Sequence, residues 1–231
     1  MNNQQVTQAI VLHRTNYGEA DRILTLLTPD KGKLRLMARG VRRSKSKLAG
    51  GIELFSTTDI TFVKGRGDLG TLISTRLLKH YGNIAKNIDR VQLGYDLIKM
   101  LDRAIEDEPE SEYYHLLEQA FTALDDASID LELIRSWLQA QLLRQAGHTP
   151  NLQTDAAGKA LKLEAAYIFD FEAMGFHTHP EGSFTADHIK TLRLLFSENP
   201  LLSLHRVQGL LEHVTTVTPL VRTMTSTYIR L

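Results

Sequence analysis

The chain has 231 residues, more than one small domain needs, and its 42% hydrophobic and 23% charged content is that of an ordinary globular protein. It contains no cysteine, which excludes disulfides, thiolate zinc sites and cysteine nucleophiles together and fits a cytoplasmic location. Its 27 basic and 27 acidic side chains cancel, yet residues 1–80 carry 14 Lys+Arg against 6 Asp+Glu, so a net +8 is balanced by −8 over the remainder.

The opening Met1–Gln8 is polar with no apolar run behind it, unlike a signal peptide, and nothing in the chain reads as a membrane span. Five stretches with β-branched or alternating patterns then follow. They cover Val6–Arg14, Arg22–Leu27, Lys33–Arg39, Thr57–Lys64 and Thr71–His80. Turn chemistry separates them at Asn16-Tyr17-Gly18, Pro29–Gly32, Gly50-Gly51 and Gly65-Arg66-Gly67. Short strands in succession, without helical periodicity between them, predict a small barrel, for which an OB-fold is the common five-stranded form.

The third strand carries the most information. Leu34, Leu36 and Ala38 alternate with Lys33, Arg35, Met37 and Arg39, so a period of two turns the apolar set inward and the basic set outward. Beyond it lies Gly40–Lys47, a basic loop holding Arg42, Arg43, Lys45 and Lys47. From Lys31 to Lys47 there are eight basic residues and no acidic one. A cationic strand face that runs into a cationic loop can follow a phosphate backbone. Tyr17, Phe55, Phe62 and Tyr81 are candidate stacking surfaces for bases, set against the plainer role of core or hairpin residues. Phe62 alternates with Ile60 and is assigned to the core.

Gly65–Gly70 fits G-x-G-x-x-G, but Thr71–Thr75 follows as a strand, where a dinucleotide site needs a helix to open. The glycines are therefore read as a hairpin turn. No P-loop pattern occurs. From about Asp89 the period becomes helical: a first helix through Leu93, Leu97, Ile98 and Leu101 ends near Glu108-Pro109, and a second spans Glu112–Leu124. A third has Ser128 as its cap and stops at Gly147 and Pro150, with Trp137 in a broad apolar face. Strand-like pieces at Ala160–Leu163 and Tyr167–Phe171 precede two last helices, Thr185–Ser197 and Leu202–Val214.

His177 and His179, with His148 and His188 elsewhere in the chain, raise a metal site with Asp155, Asp170 or Glu172 as a further ligand. Loop histidines are the plainer reading. No nucleophile-elbow or H-E-x-x-H pattern appears, so catalysis has no support in the sequence.

Several runs taken together carry a family resemblance. Ala9–Arg14 continues through Tyr17-Gly18-Glu19-Ala20-Asp21-Arg22-Ile23-Leu24; then come Leu27–Lys33 and Ala38-Arg39-Gly40-Val41-Arg42-Arg43-Ser44, with Gly50 and Phe55 after them. Ala146–Leu152 forms a further run. These stretches resemble the RecO family of bacterial recombination mediators, over most of the first 80 residues and again near residue 150. Many relatives carry a four-cysteine zinc module after that point, whereas Gln153–Gly182 has no cysteine. The module has either kept its shape without metal or been rebuilt. The closing Thr218–Leu231 is also poorer in basic residues than the resemblance leads one to expect.

The resemblance implies an α+β multidomain chain. It would comprise an N-terminal OB-fold (1–80), a central helical domain (81–150), a cysteine-free zinc-ribbon-like module (151–182), and a C-terminal helical segment (183–231) completing the helical domain. It further implies a non-enzymatic protein without cofactor, cytoplasmic and nucleoid-associated, that binds single- and double-stranded DNA. Such a protein anneals complementary strands and assists loading of RecA onto DNA coated by single-strand-binding protein, with RecR and that coat protein as partners. The residues expected to meet DNA are Lys33, Arg35, Arg39, Arg42, Arg43, Lys45 and Lys47, while Arg14 and Arg22 support the fold. Arg135 and Arg144, on the third helix, are candidate contacts for an acidic peptide tail. Two other classes stay open: an adaptor whose basic loop grips an acidic protein, and a metal-dependent hydrolase using His177 and His179.

Overall fold

The computed structural model describes residues 4–65, 67–105 and 111–229, which form two compact units, Met1–Asp126 and Ala127–Leu231. In the first, strands β1 (Gln4–Tyr17), β2 (Asp21–Thr28), β3 (Gly32–Ala38), β4 (Ser56–Val63) and β5 (Leu69–His80) close into an OB-like barrel in the order β1-β2-β3-β5-β4. Neighbours are antiparallel except β3 and β5, which run parallel from Arg35↔Leu69 to Met37↔Thr71.

Alternation along the strands builds the interior. Ala9, Val11, Leu24, Leu26, Leu36, Ala38, Ile60, Phe62 and Leu72 point inward as one apolar cluster. Phe62 is fully buried, as its alternation with Ile60 requires. β4 and β5 pair antiparallel on either side of Gly65 and Gly67, and Gly70 already lies in β5 opposite Leu36, so no helix opens after these glycines.

β1 and β2 also bury residues outside that cluster, among them Ile10, Leu12 and Leu27. A strand that is apolar on both faces must be covered on both. Helices α1 (Ile88–Ala104) and α2 (Ser111–Leu124) supply the cover, α1 against β1 and α2 against β2. Hence the boundary expected at residue 80 falls inside the first compact unit. The expected end of the first helix at Glu108-Pro109 lies outside the described residues. Asn87 caps α1 by accepting from the Arg90 N–H at 3.1 Å, and the buried Arg90 guanidinium donates to the last carbonyls of α2, 3.0 Å from Leu124 O. A cation at that end meets the negative pole of the helix.

The second unit packs α3 (Leu131–Gln145) against α4 (Ala186–Leu195) and α6 (Leu210–Tyr228), with a short α5 (Leu201–Leu204) and a hairpin of β6 (Tyr167–Asp170) and β7 (Gly175–Thr178). Three sequence expectations change here. Asp130, not Ser128, caps α3, its Oδ1 accepting from Leu133 N–H at 3.0 Å. The strand expected at Ala160–Leu163 shrinks to a bridge between Thr154 and Ala160, and the second hairpin strand is Gly175–Thr178. The helix expected over Leu202–Val214 is divided by Gly209, whose φ of 78° no regular helix accepts, and α6 then runs on through Pro219. Proline removes one helical hydrogen bond, but Val214, Val217, Leu220, Val221 and Met224 form a continuous buried stripe that holds the helix together. Among the described residues no helix is long and apolar enough to cross a membrane.

Candidate nucleic-acid interface

The basic loop is anchored at both ends by its few apolar residues. Val41 and Ile52 are buried in the barrel cluster, and Leu48 packs against it. Short turns fold the intervening chain: Arg43 N–H donates to Gly40 O, Ser46 N–H to Arg43 O, and Thr75 Oγ1 holds Leu48 O at 3.3 Å. With its apolar side chains in the barrel, the loop leaves Arg39, Arg42, Arg43, Lys45 and Lys47 exposed. Arg35, outward on β3, is exposed too.

The start of the loop is tied to the β1–β2 turn. Asp21 Oδ1 accepts from Gly40 N–H at 2.7 Å, where Gly40 adopts a φ of 63° that favours glycine. Arg42 N–H donates to Ala20 O at 2.9 Å, and its guanidinium lies 3.4 Å from Gly18 O. Loop position is thus fixed largely through the backbone, with Arg42 adding a side-chain bond, and Arg39, Arg43, Lys45 and Lys47 keep exposed side chains. Among the described residues, Arg35, Arg39, Arg42, Arg43, Lys45 and Lys47 have no carboxylate partner.

Lys33 differs. Its ammonium donates to Asp102 O at 2.6 Å and lies 3.2 Å from Asp102 Oδ1, and His13 Nε2 sits 3.0 Å from the other carboxylate oxygen. Lys33 thereby fastens β3 to α1. Arg14 pairs with Glu53 at 2.8 Å, and Arg22 Nε donates to Asn16 Oδ1 at 3.1 Å, both within the fold. A groove of about 740 Å³ beside β2 and β3 is lined by Thr25, Lys31, Arg35, Lys64, Asp68 and Asp102, among others. Lys31 at its edge leans on Asp30; burial pushes the Asp30 carboxyl up, but the Thr7 hydroxyl and Lys31 outweigh it and hold it below the usual carboxylate range.

The aromatic candidates separate by burial. Phe55 and Tyr81 are both buried and both pack edge-to-face on Phe121, at 5.4 and 5.6 Å. They join barrel to helices. Tyr17 alone of the four is exposed.

The histidines go elsewhere. His177 Nε2 bonds Asp170 Oδ2 at 2.9 Å, and His179 Nδ1 accepts from Glu181 N–H. The backbone N–H of Ala173, His177 and the N–H of Glu172 hold the Asp170 carboxyl below its ordinary value, as befits the residue that shapes the β6–β7 turn. His188 accepts from Thr185 N–H at the start of α4, and His148 stacks on Tyr228 at 4.7 Å. Among the described residues no three His, Asp or Glu side chains converge to hold a metal. On α3, Arg144 pairs with Glu198 at 2.9 Å, and Arg135 lies 3.9 Å from Glu132.

Sequence reasoning missed Asp21 and Asp102, which position cations without being cationic, and Lys64, which lies across the groove from β3. One signal was available: Val41 is the only strongly apolar residue within the loop Gly40–Lys47, and it marks where the loop dips into the barrel.

A closed five-stranded barrel of this order defines the class of OB-like domains, which bind oligonucleotides across strands 2 and 3 between the 1–2 and 4–5 loops. Here Arg35 is exposed on β3, and the cationic loop is bonded to the β1–β2 turn. A family model described as recombination protein O N terminal matches residues 1–81, and one described as recombination protein O C terminal matches residues 86–210. The DNA repair protein RecO of Roseiflexus sp. is 36% identical over 165 residues, covering 71% of this chain and 57% of that protein. The DNA repair protein RecO of Dehalococcoides mccartyi is 27% identical over 209 residues, covering 87% and 81%. For that of Syntrophus aciditrophicus the identity is 29% over 174 residues, covering 74% and 67%. The chain belongs to the RecO family of DNA repair and recombination proteins. It spans little more than half the length of the Roseiflexus relative.

Proposed function

We propose that this protein is a non-enzymatic recombination mediator. It binds single- and double-stranded DNA, anneals complementary strands, and assists RecA loading onto DNA coated by single-strand-binding protein, with RecR and the coat protein as partners in the cytoplasm. The observation that carries this reading is the set of exposed cations without carboxylate partners on β3 and the loop, from Arg35 to Lys47. Neutralising phosphates there releases counterions and gives affinity with little sequence preference. A surface that screens two strands at once, while leaving base edges free, favours their pairing.

Arg135 and Arg144 are the proposed contacts for an acidic tail, which would have to replace Glu198 on Arg144. The barrel is read as an OB-fold proper, and residues 151–182 as a zinc-ribbon-like module without its metal. The apolar packing of the hairpin supports that reading: Phe176 is buried and meets Phe169 and Phe184 edge-to-face at 5.1 and 5.4 Å.

The test is annealing of complementary oligonucleotides pre-coated with single-strand-binding protein, with and without this chain. Acceleration is the expected result, and reversing Arg42, Arg43 and Lys45 to Glu should abolish it with the circular dichroism spectrum unchanged. An annealing rate indifferent to that reversal rejects the loop as the DNA site. Pull-down of an acidic protein, with no binding to bare oligonucleotides, would favour the adaptor instead.

A further inference from the structure

Tyr17 is the last residue of β1 and is 56% exposed. Among the described residues its ring makes no aromatic or cation–π contact. A single exposed aromatic needs no explanation by itself. This one, however, stands on the turn that holds the cationic loop. Across the β1–β2 ladder it faces Asp21, whose carboxylate takes the Gly40 N–H. The next residue, Gly18, offers its carbonyl to the Arg42 guanidinium, and Ala20 takes the Arg42 N–H. The ring and the first cations of the loop therefore share one hydrogen-bonded frame.

We propose that Tyr17 is a base-stacking platform, which takes the face of an unpaired base while Arg42 and its neighbours hold the adjoining phosphates. This inference rests on reading the loop as a DNA site and adds what the loop cations lack, a means of telling single strands from duplex. Phosphates are present in both forms. An open base face is present only where the base is unpaired and unstacked. Tyr17 is the residue that sets the single-strand preference.

The experiment measures binding of the full chain to a single-stranded oligonucleotide and to a duplex of the same length, across a salt series. Tyr17→Ala should weaken single-strand binding by about 5- to 150-fold, the range for losing one stacked base, and should lower the single-strand to duplex ratio. Its salt slope should match the wild type, since no charge is lost. Tyr17→Phe, which keeps the ring, should keep the ratio. An unchanged ratio in Tyr17→Ala, whether both affinities hold or fall together, overturns the stacking role while leaving the loop reading intact. Failure of the wild-type chain to bind either oligonucleotide overturns both.

Discussion

Asp21 is an acidic residue beside a surface proposed to bind phosphates, and simple electrostatics makes it a hindrance there. Its geometry gives it the opposite role. The 2.7 Å bond to Gly40 N–H fixes the point where β3 leaves the barrel and the loop begins. A hydrogen bond to a charged group contributes about 1.5–3 kcal/mol, enough to keep this turn in one conformation. Asp21→Ala raises the net charge by one and should, on charge alone, tighten DNA binding. We expect weaker binding, because the loop cations lose their shared position and must be ordered by the ligand. Asp21→Asn keeps an acceptor oxygen and should bind better than Asp21→Ala, although it removes the same charge. Oligonucleotide titrations at fixed salt decide between the two, and tighter binding by Asp21→Ala would refute the positioning role.

At the scale of elements, one of the places where barrel and helices meet is the ring of Phe55. Phe55 has a φ of 55°, in the left-handed region where a bulky residue is strained. Its ring is held between Tyr95 at 5.5 Å and Phe121 at 5.4 Å, and its carbonyl takes the Tyr81 N–H. Room for the ring comes from Gly94 in α1, where a Cβ would stand 2.5 Å from Phe55 Cε1. Gly94→Ala therefore sets two effects against each other. Helix propensity favours alanine by about 1 kcal/mol, while overpacking a filled site costs about 1–3 kcal/mol. The ring is hemmed in on both sides, so the clash should win and the urea midpoint should fall; a raised midpoint would show that the ring moves freely. This junction also marks what could be read from the sequence. The strand alternation around Leu36 and Phe62, the hairpin glycines after β4 and the basic face of β3 are local patterns, and local patterns specify them. Phe55 looked like a candidate stacking residue because nothing local shows that Gly94, 39 positions away, makes a socket for it. Lys33 looked like its neighbours on β3 for the same reason, its carboxylate partner being Asp102 on a helix. The path of α6 through Pro219 was hidden too, since proline is a local stop signal and the buried stripe that overrides it is a tertiary effect.

For the whole molecule, the decisive quantity is where the cancelling charges lie. Residues 1–80 carry 14 basic and 6 acidic side chains, whereas residues 81–126 carry 4 and 11. Both segments belong to the first compact unit, and residues 127–231 hold 9 and 10, close to neutral. The asymmetry thus falls within one unit, between residues 1–80 and residues 81–126, and Asp102 of α1 neutralises Lys33. A polyanion is drawn to the loop, and the number of phosphates engaged is limited to the barrel cations that carboxylates leave unpaired. Five or six such contacts give a log–log salt slope of about −3.5 to −4.2 on single strands, at about −0.7 for each phosphate. The residues should divide sharply. Lys45→Ala removes an exposed charge and should flatten the slope by about 0.7, with stability unchanged. Lys33→Ala should leave the slope as it was and lower the unfolding midpoint, because its ammonium already belongs to Asp102 and the loss leaves that carboxylate with His13 alone. An equal change of slope for the two substitutions would mean that Lys33 lets go of Asp102 to reach the DNA, and that the barrel-to-helix contact opens when DNA binds.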